Sequence, residues 1–308
     1  MGDAPSTAGV FPFLLRLFSD PLIIRAPWSV RYPLSLYIAI KKLPKMLARY
    51  RAIGGGSPMN GITLKQAGAL ESALGAGFRV YVANRYCKPD TAEAYRMMKT
   101  DGVGKIVALP LFPQYSTATT ESSFAALKAE LAKDASPPEV VWVRSFADDP
   151  GYVAAFSAKL WESLEQFPED DRKDVQILFS AHSLPHEFID KGDPYLDEIR
   201  KTLTGVLKAI KPVYFHLCFQ SKGGGGREWL KPETDEVLQK MAEKGRLKAV
   251  IVPVSFVAEN IETLYDANIY YREMAASLGI KEFVRVECVN DAPVFIEALV
   301  GIVKRHVG

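Results

Sequence analysis

Residues 248–254 read KAVIVPV, a strand-length run that is too apolar to leave one face in water. From residue 78 onward, comparable runs alternate with stretches that have the period of a helix. The other predicted strands are 78–83, 105–111, 139–144, 175–180, 213–219 and 282–286. This alternation predicts an α/β fold, with parallel sheets flanked by helices.

A chain of 308 residues fits two domains of ordinary size. Residues 145–152 (SFADDPGY) are polar and carry Pro and Gly, so they are a candidate seam between two α/β halves. We expect an N-terminal domain over 1–148 and a C-terminal domain over 149–290. We also expect a terminal helix over 291–308 that packs back on the first domain.

The composition excludes several classes of protein. Gly and Pro are near average and there are only three cysteines, which excludes collagen-like, disordered and disulfide-stapled chains. The apolar run 249–258 has ten residues, whereas a membrane span needs about 20. The N-terminus lacks a basic n-region and a signal cleavage site. We therefore expect a reduced, cytoplasmic protein, with peripheral contact to the inner face of the membrane as an open option.

The net charge of +2 hides a division along the chain. Residues 1–60 carry eight basic and two acidic side chains, a balance of +6, so the remainder carries −4. The same segment holds the aromatic residues Phe11, Phe13, Phe18, Trp28, Tyr32 and Tyr37. Two interpretations stay open: the solvated face of an amphipathic helix, or a surface for an anionic ligand with a large apolar body or for acidic lipid headgroups.

Common motifs of other α/β enzymes are missing from the sequence. No G-x-G-x-x-G follows a predicted strand, and GVGK at 102–105 lacks the Ser or Thr of a P-loop. The cysteines show no C-x-x-C spacing, and there is no G-x-S-x-G elbow. These absences disfavour nucleotide enzymes, zinc or iron–sulfur proteins and serine hydrolases, and we expect no nucleic-acid partner.

Candidate chemical groups follow two of the predicted strands. His182 lies just past strand 175–180, where an open α/β sheet presents active-site side chains. His186 has the spacing of a second zinc ligand, but the intervening Pro185 argues against one regular helical turn. After strand 248–254, Glu262 and Asp266 would share one helix face as an acidic track. The competing interpretation is a solvated helix start, where acids are favoured by the helix dipole.

Six strings that cover almost the whole chain resemble the ferrochelatase family, whose members insert ferrous iron into a porphyrin late in haem synthesis. They occur in the family's order and at its spacing, which makes the combination specific. The strings are IGGGSP at 53–58, ANRY at 83–86, LPLFPQYSTATTESSF at 109–124, FSAHSLP at 179–185 with GDPY at 192–195, QSKGGGGREWLKPETDE at 220–236, and PVSFVAENIETLYD at 253–266.

The resemblance implies two Rossmann-like domains of the chelatase type, with the active site and its porphyrin in the cleft between them. It also implies that His182 and Glu262 face the metal, His182 as proton acceptor and Glu262 as its carboxylate partner. Asp266 and Glu259 are expected to relay protons or metal. The implied porphyrin contacts are Lys42, Tyr50, Ser57, Arg85 and Tyr86, with Trp229 lining the pocket and Leu17, Phe18 and Ile23 in a hydrophobic lip.

Three departures from the family pattern carry their own expectations. The opening MGDAPSTAGV matches the family only from its first turn onward, without the apolar strand that usually precedes that turn. Ala258-Glu259-Asn260 stands where the family commonly reads Ser-Asp-His, which removes one proton carrier and leaves Glu259 to compensate. The chain ends at Gly308 without the cysteine-bearing extension of members that hold a [2Fe–2S] cluster. We expect no such cluster and no required cofactor, with Fe²⁺ as substrate.

These inferences together predict a metal-inserting lyase that forms protohaem from protoporphyrin IX and Fe²⁺. Coproporphyrin III, with four carboxylates instead of two, is the competing substrate. A catalytically inactive protein that binds porphyrin or haem is the alternative from another functional class.

Overall fold

The computed structural model describes residues 1–24, 26–211, 214–223 and 226–307, and the chain forms two compact units. Unit 1 comprises 1–111, 115–144 and the chain from Val300, and unit 2 comprises 112–114 and 145–299. Both units contain a parallel sheet with helices around it, which confirms the predicted α/β class. No helix within the described ranges combines the length and the apolar character that crossing a membrane requires.

Unit 1 is mostly helical. Strands β1 (Lys105–Ala108) and β2 (Glu139–Trp142) pair in parallel, with Lys105 opposite Glu139. The helices are α1 (Val10–Phe18), α2 (Trp28–Ala52), α3 (Met59–Leu74), α4 (Thr91–Thr100) and α5 (Thr120–Leu131), with a 3₁₀ turn at Thr7–Gly9. Helix α4 begins where the Asp90 carboxylate accepts a hydrogen bond from the Glu93 N–H at 3.0 Å, the local capping that starts a helix.

The prediction of a strand at 78–83 is wrong. A parallel strand needs a neighbour with a free hydrogen-bonding edge, and these residues join no ladder in the described part of the chain. The Val80 N–H instead donates to the Glu71 carboxylate at 2.7 Å. Apolar composition indicated a strand here, but composition does not show whether a partner strand is present.

Unit 2 contains a four-stranded parallel sheet in the order β4-β3-β5-β6. Its strands are β3 (Gln176–His182), β4 (Tyr214–Gln220), β5 (Lys248–Pro253) and β6 (Glu282–Arg285), each within two residues of a predicted strand. The helical segments are α6 (Pro150–Leu164), a 3₁₀ segment (Glu169–Asp174), α7 (His186–Asp190), α8 (Tyr195–Ile210), α9 (Thr234–Glu243), a π-helix (Glu262–Tyr270), α10 (Tyr271–Ser277) and α11 (Pro293–Val307), which runs on into the unit 1 residues.

The core of unit 2 explains why its chemistry lies at one edge of the sheet. Leu178 and Ile251 pack against Leu238 of α9 and Tyr271 of α10 in one buried cluster. The first six residues of β3 are buried, and its last residue, His182, is partly exposed. The carboxyl edge of a parallel sheet, where ligands of open α/β folds bind, therefore presents a histidine.

Candidate active site

His182 and Glu262 form a hydrogen-bonded pair at the carboxyl edge of the unit 2 sheet. The His182 Nδ1 atom lies 2.8 Å from Glu262 Oε2, across 80 positions of sequence. The side chains are 39% and 22% exposed, so the pair is reachable from solvent while each partner is partly shielded. An imidazole bonded to a carboxylate therefore stands at the end of β3.

The two members of the pair shift each other's proton affinity. Burial opposes charge on the imidazole, but the adjacent Glu262 carboxylate outweighs burial and raises the pKa of His182 above its ordinary value. Burial also opposes charge on Glu262, yet the His182 charge and hydrogen bond lower the pKa of that carboxyl. Hydrogen bonds from Ser221 and Gln220 lower it further. The carboxylate stays ionised and the imidazole gains affinity for a proton.

Asn260 starts the π-helix that carries Glu262. Its side-chain oxygen accepts hydrogen bonds from the backbone N–H groups of Glu262 at 2.8 Å and Thr263 at 3.3 Å. The Asn260 N–H donates in turn to the Thr263 hydroxyl at 3.0 Å. This reciprocal cap satisfies N–H groups that a helix start leaves free, and it fixes the direction in which Glu262 leaves the backbone.

The backbone of His182 is held on both sides. The Tyr195 hydroxyl donates to the His182 carbonyl at 3.1 Å, and the His182 N–H donates to Ser255 Oγ at 3.4 Å. The Ser255 and Tyr195 hydroxyls are themselves 2.7 Å apart. Tyr195 is buried, so this clamp limits movement of the strand end that bears the imidazole.

Asp266 lies on the same π-helix as Glu262, four residues further along. It is buried, and the Ser221 hydroxyl lies 3.4 Å from its carboxylate. Its negative charge also contributes to the raised pKa of His182. The structure thus brings the predicted track of Glu262 and Asp266 to His182.

Glu259 forms an ion pair and hydrogen bonds in the loop before the π-helix. Its side chain is 10% exposed and pairs with Arg285 at 2.7 Å. The same carboxylate accepts hydrogen bonds from the Cys288 N–H at 2.8 Å and from the Thr263 hydroxyl. A carboxylate that pairs with a guanidinium and accepts from two further donors anchors the loop before the π-helix, and a relay role for Glu259 stays a prediction.

Trp229 lies beside the chain that leaves β4. A Cβ placed on Gly223 would come within 2.5 Å of the Trp229 ring, so only glycine allows this approach. The ring lines a surface cavity of about 470 Å³, together with His186, Leu217, Phe219 and Leu230 among others. Porphyrin contact by Trp229 stays a prediction.

In unit 1, Arg85 and Tyr86 meet at the Asp20 carboxylate. The Arg85 guanidinium forms an ion pair with Asp20 and donates to the Ser122 hydroxyl at 3.0 Å. The buried Tyr86 hydroxyl donates to Asp20 at 2.9 Å. Asp20 also accepts from the Leu22 N–H at 2.8 Å, so it fixes the turn that leads to Ile23 of the lip.

The remaining expected porphyrin contacts differ in accessibility. Tyr50 is fully buried and its hydroxyl donates to Asp3. Ser57 is buried too, with its N–H bonded to the Ala4 carbonyl at 3.0 Å. Lys42 is exposed, with its ammonium 5.8 Å from the Phe18 ring centre. Leu17, Phe18 and Ile23 are half-buried. Substrate contact by Tyr50, Ser57 and Tyr86 remains a prediction, and the structure shows internal partners for their polar groups.

Sequence reasoning assigned no role to Tyr195, Gln220 or Ser255. Tyr195 and Gln220 lie in the family-like strings GDPY and QSKGGGGREWLKPETDE, and Ser255 lies in PVSFVAENIETLYD. That position was the only available signal, because the contacts with His182 and Glu262 join elements that are far apart in the sequence. Among the residues that the structure describes, no group of three His, Cys, Asp or Glu side chains forms a ready-made metal site.

Comparison with known proteins points to one family. The ferrochelatase family model matches residues 1–307. The ferrochelatase of Geotalea uraniireducens is 44% identical over 308 residues, which cover all of this chain and 96% of that protein. The ferrochelatase of Aquifex aeolicus is 39% identical over 308 residues, covering all of this chain and 97% of that protein.

Solved structures show the same fold at low identity. SirB from Bacillus subtilis with Fe³⁺ has a TM-score of 0.59 at 12% identity, covering 82% of this chain and 92% of that structure. CbiX, described as the terminal enzyme of sirohaem biosynthesis in denitrifying bacteria, has a TM-score of 0.52 at 15% identity, covering 82% of this chain and 95% of that structure. With a family model over nearly its full length and relatives matched from end to end, the chain belongs to the ferrochelatase family.

Proposed function

We propose that the porphyrin into which this enzyme inserts Fe²⁺ is protoporphyrin IX, with His182 as proton acceptor and Glu262 as its carboxylate partner. The observation that carries the assignment of roles is the 2.8 Å contact between His182 Nδ1 and Glu262 Oε2 at the end of β3. Asp266 extends the acidic track along the π-helix.

The chemistry of metal insertion needs a base next to the ring. A free-base porphyrin must lose two pyrrole protons before its four nitrogens can hold a divalent ion. The imidazole of His182 can accept such a proton when it is neutral, and the adjacent Glu262 carboxylate then stabilises the imidazolium. Imidazole and carboxylate are also suitable ligands for Fe²⁺, and two protein ligands leave the ion able to pass into the ring.

Anaerobic iron-insertion assays on three variants test the assigned roles. We expect His182→Ala to lose nearly all activity, because it removes the proposed proton acceptor, and Glu262→Gln to lose most of it. His306→Ala is the matched control: this exposed histidine lies in the last turn of α11 with its ring 2.8 Å from the Ile302 carbonyl, and its loss should leave turnover unchanged. Near wild-type turnover by His182→Ala would require another base.

The substrate is tested by steady-state rates on protoporphyrin IX and coproporphyrin III. The half-buried apolar lip of Leu17, Phe18 and Ile23 suits the less carboxylated ring. We expect a higher kcat/KM for protoporphyrin IX, and the reverse order would assign coproporphyrin III. Tight binding of both porphyrins without insertion of Fe²⁺ or Zn²⁺ would instead support the inactive binding protein.

We propose further that the enzyme is a cytoplasmic lyase that attaches peripherally to the inner face of the membrane through helix α2. This helix has six basic and no acidic residues. Trp28, Tyr37 and Ile40 project from it with 59%, 61% and 57% of their surface exposed. Exposed aromatic and aliphatic groups beside cations suit the surface of an anionic bilayer.

We also propose that no [2Fe–2S] cluster or other cofactor is required. The cysteines Cys87, Cys218 and Cys288 are buried as free thiols, and burial raises the pKa of each, which disfavours the thiolate that iron needs. We expect anaerobically purified, haem-free protein to show no visible iron–sulfur absorption bands.

A further inference from the structure

Strand register places Gln220 next to the reactive histidine. In the parallel pair of β3 and β4, Gln220 is the partner of His182, and Cys218 is the partner of Ser180. Side chains on a strand alternate between faces, so Ser180 and His182 share one face with Cys218 and Gln220. Gln220 is buried, and its amide contacts Glu262 of the π-helix on this face.

Hydrogen bonds fix the orientation of the Gln220 amide. Its Nε2 donates to Glu262 Oε2 at 3.3 Å, and its Oε1 accepts from the Ser180 hydroxyl at 2.8 Å. The Ser180 hydroxyl also lies 2.9 Å from the Thr234 hydroxyl, which in turn lies 3.4 Å from Cys218 Sγ. A flipped amide would set its carbonyl oxygen against the Glu262 carboxylate, where two acceptors repel each other.

These contacts form a chain from Thr234 through Ser180 and Gln220 to Glu262 Oε2, the atom that lies 2.8 Å from His182 Nδ1. Glu262 Oε2 receives both the Gln220 amide and His182 Nδ1. Ser180 and Thr234 are fully buried, so water cannot replace their hydrogen bonds. Thr234 is the first residue of α9, which ties the far end of the chain to a helix in the core.

We propose that Gln220 is a positioning residue that holds the Glu262 carboxylate against His182, with its amide oriented by Ser180 and Thr234. It makes no contact with reacting atoms and acts only through Glu262. The kinetic part of this inference rests on the proposed roles of His182 and Glu262, whereas the structural part does not.

Two variants and a control test the proposal by kinetics. Gln220→Met keeps the length of the side chain and removes the amide, and Ser180→Ala removes only the hydroxyl that orients it. We expect kcat to fall about tenfold in the first and less in the second, with KM for the porphyrin within about twofold of wild type, because a displaced carboxylate affects the proton transfer more than binding. Ser183→Ala is the control, since it removes only a hydroxyl that bonds to the Leu230 carbonyl and keeps the backbone bond from the Ser183 N–H to the Gln220 carbonyl.

A spectroscopic measurement separates this inference from the proposed function. The protein has only four histidines, so the imidazole N–H signals of ¹⁵N-histidine-labelled enzyme are few enough to assign. The signal of His182 bonded to Glu262 should be lost in Glu262→Gln, weakened in Gln220→Met and intact in Ser183→Ala. An intact signal in Gln220→Met, or wild-type kcat in that variant while His182→Ala is inactive, would overturn the proposal. If the signal weakens in Gln220→Met while His182→Ala stays active, Gln220 positions the pair but the proposed base is wrong.

Discussion

At the scale of single residues, the decisive feature is a histidine whose proton affinity is set by a carboxylate from another element. The family resemblance implied His182 and Glu262 as a pair, but only the fold shows that Nδ1 and Oε2 lie 2.8 Å apart. The same limit applies to the contacts of Glu259. The family resemblance implied a relay role for Glu259, and nothing local in the sequence showed that Arg285, 26 positions later, pairs with its carboxylate.

The pH dependence of activity should follow His182. Only the neutral imidazole accepts a proton, so kcat/KM should fall as the pH drops through the raised pKa of His182. Glu262→Gln removes the negative neighbour and leaves burial, which disfavours the imidazolium. The acid limb of this variant should therefore move to lower pH while its rate falls. Profiles measured across about pH 5 to 9 check this shift, and coincident acid limbs would contradict it.

Asp20 is expected to stabilise unit 1 in a pH-dependent way. Its side chain is 2% exposed and its pKa is lowered: burial opposes the shift, but hydrogen bonds from Leu22, Arg85 and Tyr86 outweigh it. Asp20→Asn should lower the free energy of unfolding by about 1–3 kcal/mol near neutral pH. A depressed carboxyl pKa gives stability above the unfolded-state pKa that is lost as the pH falls, so the difference should shrink below about pH 4.

Urea denaturation of wild type and Asp20→Asn at both pH values measures this effect. Asp101→Asn serves as control, because that exposed carboxylate also accepts from a tyrosine, Tyr81, and should change stability by no more than about 0.5 kcal/mol. A pH-independent difference for Asp20→Asn would show that its charge is not the cause.

At the scale of elements, apolar runs located the strands of unit 2 to within two residues, most clearly for β3 and β5, which are buried between neighbouring strands. The same pattern failed at 78–83, where no ladder forms. The π-helix was also beyond prediction. Its residues read as an ordinary acidic helix start, and the wider turn depends on how the segment packs against the sheet.

The Asn260 cap of the π-helix should affect the rate of the reaction more than it affects the stability of the fold. Asn260→Ala leaves the N–H groups of Glu262 and Thr263 without their acceptor, which should lower the free energy of unfolding by about 1 kcal/mol. The Glu262 carboxylate would then be less well directed, so kcat should fall by about tenfold or more. Asn260→Asp keeps an acceptor oxygen and should restore most of the rate. Equal losses in both variants would exclude capping as the reason.

Helix α2 should bind anionic vesicles. Tyr37→Glu and Ile40→Glu place charge on its exposed apolar face and should abolish co-sedimentation with vesicles of mixed phosphatidylglycerol and phosphatidylcholine. Trp161→Ser is the control, because Trp161 is an exposed aromatic residue of unit 2. Unchanged binding by the α2 variants, or no binding by wild type, would leave α2 as a solvated helix.

At the scale of the whole molecule, the uneven charge of the chain has a measurable consequence for substrate binding. The first 60 residues carry +6 and the remainder −4, and the porphyrin carries two or four carboxylates. If the basic segment attracts the substrate, added salt should raise KM, because the screening length falls from about 10 Å at 0.1 M to about 3 Å at 1 M. The increase should be steeper for coproporphyrin III than for protoporphyrin IX, since twice as many carboxylates are screened. The kcat should change little, because His182 and Glu262 are close enough to interact at any ionic strength. A KM that does not respond to salt for either porphyrin would mean that the basic segment acts on something other than the substrate.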